Sequence, residues 1–176
     1  MTNTKYNKLI IQVSLQNFTF CVKNQVTDEI TYFKSLPINS LASLENQLET
    51  IFNQNEMLHI TYDDVLVLHD NNLNTFDEQN LGSYLQYNTK VFATDFFTHD
   101  DLELQKMKNV YVPYVAYNNF FIDQFGEFTY KHINTTLVEF ALNETKNQED
   151  VIVHAHISKD HFELVISQKG NLLLFN

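Results

Sequence analysis

One strand pattern is written twice in this chain, and it constrains the fold more than any other feature. The first copy runs Leu9–Leu15, with apolar residues at Leu9, Ile11, Val13 and Leu15; it continues through Phe18–Val22, with Phe18, Phe20 and Val22, to Ile30–Phe33. The second copy runs Val151–Ile157, with Val151, Val153, Ala155 and Ile157; it continues through Phe162–Ile166, with Phe162, Leu164 and Ile166, to Leu172–Phe175. The first turn is two residues longer in the second copy and the second turn two shorter, so the third strands return to register. Apolar residues at every second position predict strands with one buried face. Two such meanders predict a duplicated domain. The first would span 5–148, and a second, incomplete one would open at 149 and reach 176.

Between the copies the periodicity changes. After Pro37, Ser40 is placed to cap a helix whose inner face carries Leu41, Leu44, Leu48, Ile51 and Phe52. The continuous apolar run from Asp64 to His69 predicts a fully buried strand, reached by a helical crossover and parallel to its neighbour. Asp70–Asn74 reads as a loop, Asp77–Tyr87 as a helix, Lys90–Thr94 as a strand and His99–Lys108 as a charged connection. Asn109–Pro113 is a further strand. Tyr117, Phe120, Phe121 and Phe125 have helical spacing ended by Gly126. Phe128–His132 reads as extended. A last helix is expected from the capping-box pattern Thr136-x-x-Glu139, burying Leu137, Val138, Ala141 and Leu142, before a polar linker at Thr145–Asp150.

Composition then removes several function classes. The net charge is −11 and all 11 basic residues are lysine. Without arginine's planar fork of donors, and with long-range repulsion of phosphates, a nucleic-acid partner is not expected. No run is long and apolar enough to span a bilayer, and the first residues carry no apolar core of the signal-peptide kind. A cytoplasmic setting is therefore expected, and the single Cys21, in a strand, reads as a small apolar side chain.

Candidate chemistry is sparse. His154 and His156 share one face of a strand, and His161 follows across the turn. They are the candidate metal ligands, but a site needs three or four ligands in fixed geometry, and a polar sheet face is the preferred reading. Asp63-Asp64 and His99-Asp100-Asp101 offer acid–base or cation chemistry only if partners converge on them. Tyr111, Tyr114, Tyr117, Phe120 and Phe121 form an aromatic group, read as core with a protein-binding surface as the alternative.

The order meander, helix, strand, helical region, strand, helix, second meander resembles the actin-like (ribonuclease H-like) ATPase fold, a mixed sheet flanked by helices. Residues 70–108 fall where the pilus-assembly and cell-division members of that fold carry an insertion. Asn109-Val-Tyr-Val-Pro-Tyr, followed by Asn118-Asn-Phe and Phe125-Gly-Glu-Phe-Thr-Tyr-Lys-His, is similar to an uncharacterised bacterial domain-of-unknown-function family, number thirty-eight twenty-two. Nearly the whole chain is covered by that resemblance.

The actin-like resemblance implies an Asp at the end of the first strand of each domain and a Gly two residues later. The Asp organises metal and water, and the Gly admits phosphate close to the backbone. Ser14 and Gln16 stand at these positions in the first copy, His156 and Ser158 in the second. All four depart from the pattern. The expectation is a degenerate, non-catalytic relative, a scaffold or interaction protein with no cofactor and no stoichiometric metal. The alternative is an active actin-like ATPase or kinase-like enzyme with unusual phosphate contacts, and a third reading is a metal-dependent hydrolase using the histidines. The second meander, with nothing following it to cover its apolar face, is expected to find a partner, such as a homodimer through 151–176.

Overall fold

The computed structural model describes residues 6–77, 96–158 and 161–176. The helix expected at Asp77–Tyr87 and the strand at Lys90–Thr94 fall almost wholly outside these residues. The chain forms two compact units, one from residues 1–71 and 114–131, the other from 72–113 and 132–176.

The first unit is built on strands β1 (Asn7–Val13), β2 (Asn17–Asn24), β3 (Ile30–Pro37), β4 (Asp64–His69) and β8 (Thr129–His132), in the order β3-β2-β1-β4-β8. β8 ends at His132, where the second unit resumes. β1 pairs antiparallel with β2 and parallel with β4. Helix α1 (Leu44–Asn53) makes the crossover between the parallel strands. Leu9, Ile11, Val13, Phe18, Phe20 and Val22 are all buried, so the alternation of the first copy has the expected consequence. Together with Leu48, Ile51 and Phe52 of α1 and Tyr117 and Phe121 of helix α2 (Val115–Phe125) they form one core. Gly126 ends α2 with φ +74°, a conformation that L side chains disfavour, and its N–H donates to the Ile122 carbonyl.

Two local expectations change. α1 begins at Leu44 with Ser43 as its cap, not at Ser40, and Leu41 is 96% exposed. Asn39 accounts for the delay. Its Oδ1 accepts the Leu41 N–H, its backbone is clasped by the Gln47 side chain, and this turn competes with the first helical turn. β4 is buried on the Val65/Val67/His69 face and only half-buried on the Leu66/Leu68 face.

The second unit contains two three-stranded sheets. Strands β5 (Asn74–Asp77), β6 (Thr98–Leu102) and β7 (Met107–Tyr111) are ordered β5-β7-β6. The loop expected at 70–74 and the charged connection expected at 99–108 are thus corrected. Asn74 starts a strand, and His99–Lys108 holds a strand, a short 3-10 turn and the start of another strand. The apolar signal there is weak because Asp100 and Asn109 take buried positions usually held by aliphatics.

Strands β9 (Ile152–Ile157), β10 (Phe162–Gln168) and β11 (Asn171–Phe175) are ordered β11-β10-β9. Helix α3 (Ile133–Thr145) packs on one face of that sheet through Val138, Ala141 and Leu142 against Val165. α3 starts three residues before the expected capping box, so Thr136 and Glu139 lie inside it. Ser167 lets the helix approach closely: its Oγ donates to the Ala141 carbonyl at 3.3 Å and meets Thr145 Oγ1 at 3.1 Å. Gly170, at φ +71°, turns β10 into β11 and donates its N–H to the Thr145 carbonyl, capping α3.

Truncating the core and the loop should separate cleanly. Phe121→Ala is expected to cost about 3–5 kcal/mol in urea denaturation because a buried aromatic leaves a cavity. Leu41→Ala should change stability by less than about 0.5 kcal/mol, as a solvated side chain does.

Candidate functional site

β1 and β4 are parallel and in register, Val13 opposite His69, so both chains leave the sheet at the same edge. In open α/β sheets that carboxyl edge is where ligands are bound. The residues that collect there are Gln12, Ser14, His69 and Asp70, joined by Tyr114, Tyr117 and Asn118 at the start of α2. The aromatic group read from the sequence therefore divides. Tyr114, Tyr117, Phe120 and Phe121 build the first unit, while Tyr111 is a buried residue of the second.

Hydrogen bonds close this edge upon itself. Ser14 Oγ accepts the backbone N–H of Asn17 at 2.9 Å and of Gln16 at 3.2 Å. Ser14 N–H donates to the Asn17 carbonyl at 3.0 Å. Gln12 Nε2 donates to Asp70 Oδ2 at 2.8 Å, and the Tyr114 hydroxyl donates to the Asp70 carbonyl at 3.0 Å. The Tyr117 hydroxyl donates to the Ser14 carbonyl at 3.1 Å. Burial raises both phenols, Tyr117 to about 12 and Tyr114 further, with the Asp70 charge adding to the latter. They are hydrogen-bond donors, not bases.

His69 was legible in the sequence only as the end of an apolar strand. It is fully buried, and its Nδ1 accepts the Tyr114 N–H at 3.1 Å. Its other nitrogen therefore carries the proton and donates to Asn118 Oδ1 at 3.0 Å. Burial lowers its pKa to about 4, against the opposing effect of the Asn118 bond. The imidazole is thus a neutral clamp between β4 and the first turn of α2. The signal that finds it is the spacing of Tyr114, Tyr117 and Asn118, three and four residues apart on one helical face.

The second copy treats its corresponding positions differently. The Glu163 carboxylate spans two histidines, Oε2 at 2.9 Å from His156 Nδ1 and Oε1 at 3.1 Å from His161 Nε2. His154 stacks edge-on to Phe140 of α3 at 5.5 Å, and its Nδ1 is buried without a hydrogen-bond partner. Ser158 N–H donates to the His161 carbonyl, the counterpart of the Ser14–Asn17 bond. Among the described residues no three His, Cys, Asp or Glu side chains are arranged to hold a metal ion.

The acidic pairs part company as well. Asp64 is paired with Lys8 at 2.6 Å, and Asp63 accepts the Tyr6 N–H. Asp101 pairs with Lys108, whose hydrogen bond and charge lower its pKa. Asp100, expected in a charged connection, is instead buried at the start of α3. It accepts from the Tyr111 hydroxyl at 3.1 Å, His132 N–H at 2.8 Å and Thr135 Oγ1 at 2.6 Å. A carboxylate there satisfies orphan donors and complements the helix dipole. Its partners lie far away in sequence, so no local pattern announces it. Cys21 is half-buried, and burial raises its thiol pKa, in keeping with a structural side chain.

The buried His69 makes the first unit acid-sensitive. Its folded pKa lies below the 6.5 of an exposed imidazole, so the unfolded chain binds the extra proton first. Stability from this group is complete above that value and falls as pH drops toward 4, by up to about 3 kcal/mol. Urea denaturation across this range should show the decline, and His69→Gln should flatten it.

The architecture has a solved counterpart. A Bacteroides thetaiotaomicron protein with actin-like ATPase fold and unknown function superposes with a TM-score of 0.82 at 19% identity, covering 99% of this chain and 70% of that one. An exopolyphosphatase from Cytophaga hutchinsonii (TM-score 0.46, 8% identity, 97% and 49% coverage) is only distantly similar. The same holds for the cytoplasmic domain of EpsL, an inner membrane component of the type II secretion system of Vibrio cholerae (0.44, 14%, 95% and 69%). No curated protein matches the chain. Its fold is the actin-like ATPase fold, and with a family model matched over residues 1–176 the chain belongs to the family described as Protein of unknown function (DUF3822).

Proposed function

We propose that this chain is a non-catalytic scaffold or protein-interaction protein, a pseudo-ATPase that keeps the actin-like framework without its phosphate chemistry. One observation carries the reading. In the turn between β1 and β2, the backbone N–H groups of Gln16 and Asn17 are both taken by Ser14 Oγ. Those are the donors that a phosphate would need, and Gln16 places a side chain where close approach calls for glycine. In the second copy His156 is engaged by Glu163, and Ser158 closes its own turn. The reading assigns no cofactor, no nucleic-acid partner and a cytoplasmic setting. No helix of the described residues is long and apolar enough to cross a membrane.

The alternative, an active ATPase or kinase-like enzyme with unusual contacts, draws support from Asp70. It is a half-buried carboxylate at the carboxyl edge of β4, where it could organise a hydrated cation once released by Gln12.

Calorimetric titration with Mg²⁺-ATP distinguishes the two. No saturable heat is expected at millimolar nucleotide. Sub-millimolar, Mg²⁺-dependent binding that disappears in Asp70→Asn would overturn the scaffold reading in favour of the alternative. For the histidines, elemental analysis of protein purified without a histidine tag should find well under one equivalent of zinc. A full equivalent, lost in a His154→Ala/His156→Ala variant, would establish a metal site instead.

A further inference from the structure

The amino edge of β4 is hollow. A cavity of about 570 Å³ lies between the end of the 3-10 turn Glu56–His59, the run leading to Asp64, and the link from α2 to β8. Small-molecule sites commonly occupy about 300–1,000 Å³. The whole cavity belongs to the first unit, at the end of β4 opposite His69 and Asp70.

Its wall combines the rings of Tyr62, Phe125 and Phe128 with the carboxylates of Asp63, Asp64 and Glu127, and no lysine lines it. The rings are held by the core behind them. Phe128 stands edge-on to Phe121 at 6.0 Å, and Phe125 packs on Phe121 at 5.9 Å and on Phe52 at 5.8 Å. The Tyr62 hydroxyl donates to the Met57 carbonyl at 2.6 Å. The carboxylates are unequally engaged. Asp64 is paired with Lys8, whereas Asp63 accepts only the Tyr6 N–H, and the Glu127 carboxylate has no partner among the described residues. Asn7, whose carbonyl accepts the Asp63 N–H at 3.3 Å, buries its Oδ1 without a hydrogen-bond partner. Acceptors are in surplus at this edge.

We infer that the cavity is a binding site for a small organic cation, an ammonium group on an apolar stem. The stem packs on the rings, whose quadrupoles also attract the charge, and the ammonium donates to Glu127 and Asp63 in charge-assisted bonds. Other ligand classes fail on the same residues. An anion would meet three carboxylates. A neutral apolar molecule would take Asp63 and Glu127 out of water without pairing them. For a bare metal ion, no three His, Cys, Asp or Glu side chains among the described residues are suitably arranged. Walls already fixed by the core reduce the ordering cost of binding. The inference does not rest on the reading of the phosphate positions.

Amide-detected nuclear magnetic resonance titration of the full chain with phenethylammonium tests it. Saturable binding is expected, with shifts centred on residues 58–65 and 124–129. Phenethyl alcohol should bind at least about tenfold more weakly, and hydrocinnamate should not saturate. Glu127→Gln should weaken the amine by at least about tenfold with an unchanged circular dichroism spectrum. Glu45→Gln removes the same charge from an exposed site on α1 and should change affinity by less than about twofold, because a distant solvated charge is screened. No saturable binding at millimolar amine, equal binding of the alcohol, shifts scattered over surface carboxylates, or equal effects of the two substitutions would each overturn the inference. A lysine-bearing peptide that binds where phenethylammonium does not would make the cavity a protein-recognition site and overturn the assignment to a small amine.

Discussion

The first unit depends on the burial of Phe18. Its ring meets Phe52 of α1 at 6.3 Å and Phe121 of α2 at 6.2 Å, with Phe20 beside it on the same strand. One side chain of β2 therefore holds the sheet to both helices. Phe52 extends the contact to Phe120 and Phe125, so the two helices also hold each other. Edge-to-face and tilted rings add directional energy to area burial, about 0.5–1.5 kcal/mol per pair. With α2 pinned in this way, its first turn has one place to go, over the carboxyl edge of β1 and β4. Tyr114, Tyr117 and Asn118 reach Asp70, Ser14 and His69 as a consequence of aromatic packing one and two turns further along.

Polar groups at that edge then face a stringent requirement, because a buried donor or acceptor without a partner costs about 1–3 kcal/mol. His69 meets it through the Tyr114 N–H and the Asn118 side chain, and the Tyr114 and Tyr117 hydroxyls donate to the carbonyls of Asp70 and Ser14. The second unit meets it with Asp100, which gathers three donors at the start of α3. An Asn74–Asn109–Thr135 chain continues that network, with Asn134 bonded to Asn74. Such networks favour one arrangement of elements, and here one acceptor, Asn134 Oδ1, is buried without a hydrogen-bond partner. They are also why a site rich in His, Asp and Tyr does not by itself mean catalysis: here each group is already engaged in holding its neighbours.

Actin-like architecture is a framework on which many activities are carried, and the framework does not choose among them. What a phosphate-binding member of the fold needs from its first hairpin is a row of free backbone donors. In this chain the Ser14 hydroxyl accepts the N–H groups of Gln16 and Asn17, the contacts on which the proposed loss of phosphate chemistry rests.

Much of the framework was legible in the sequence. The two meanders, the parallel β4 and the aromatic helix ended by Gly126 follow from residue spacing, whereas the departures at Ser14, Gln16, His156 and Ser158 are measured against what the actin-like resemblance implies. Period-two alternation and helical spacing are local properties of the chain, and local physics suffices to read them. Which face of a strand is covered is not local. In the first copy the Leu9/Ile11/Val13 face lies under two helices. In the second, α3 packs on the His154 side and leaves Val153 and Ile157 in solvent, although the alternation is the same. The same limit applies to Asp100 and His69, whose partners lie 32 and 49 residues away. Alternation says that two faces differ, and only the packing of a distant helix decides which of them is buried.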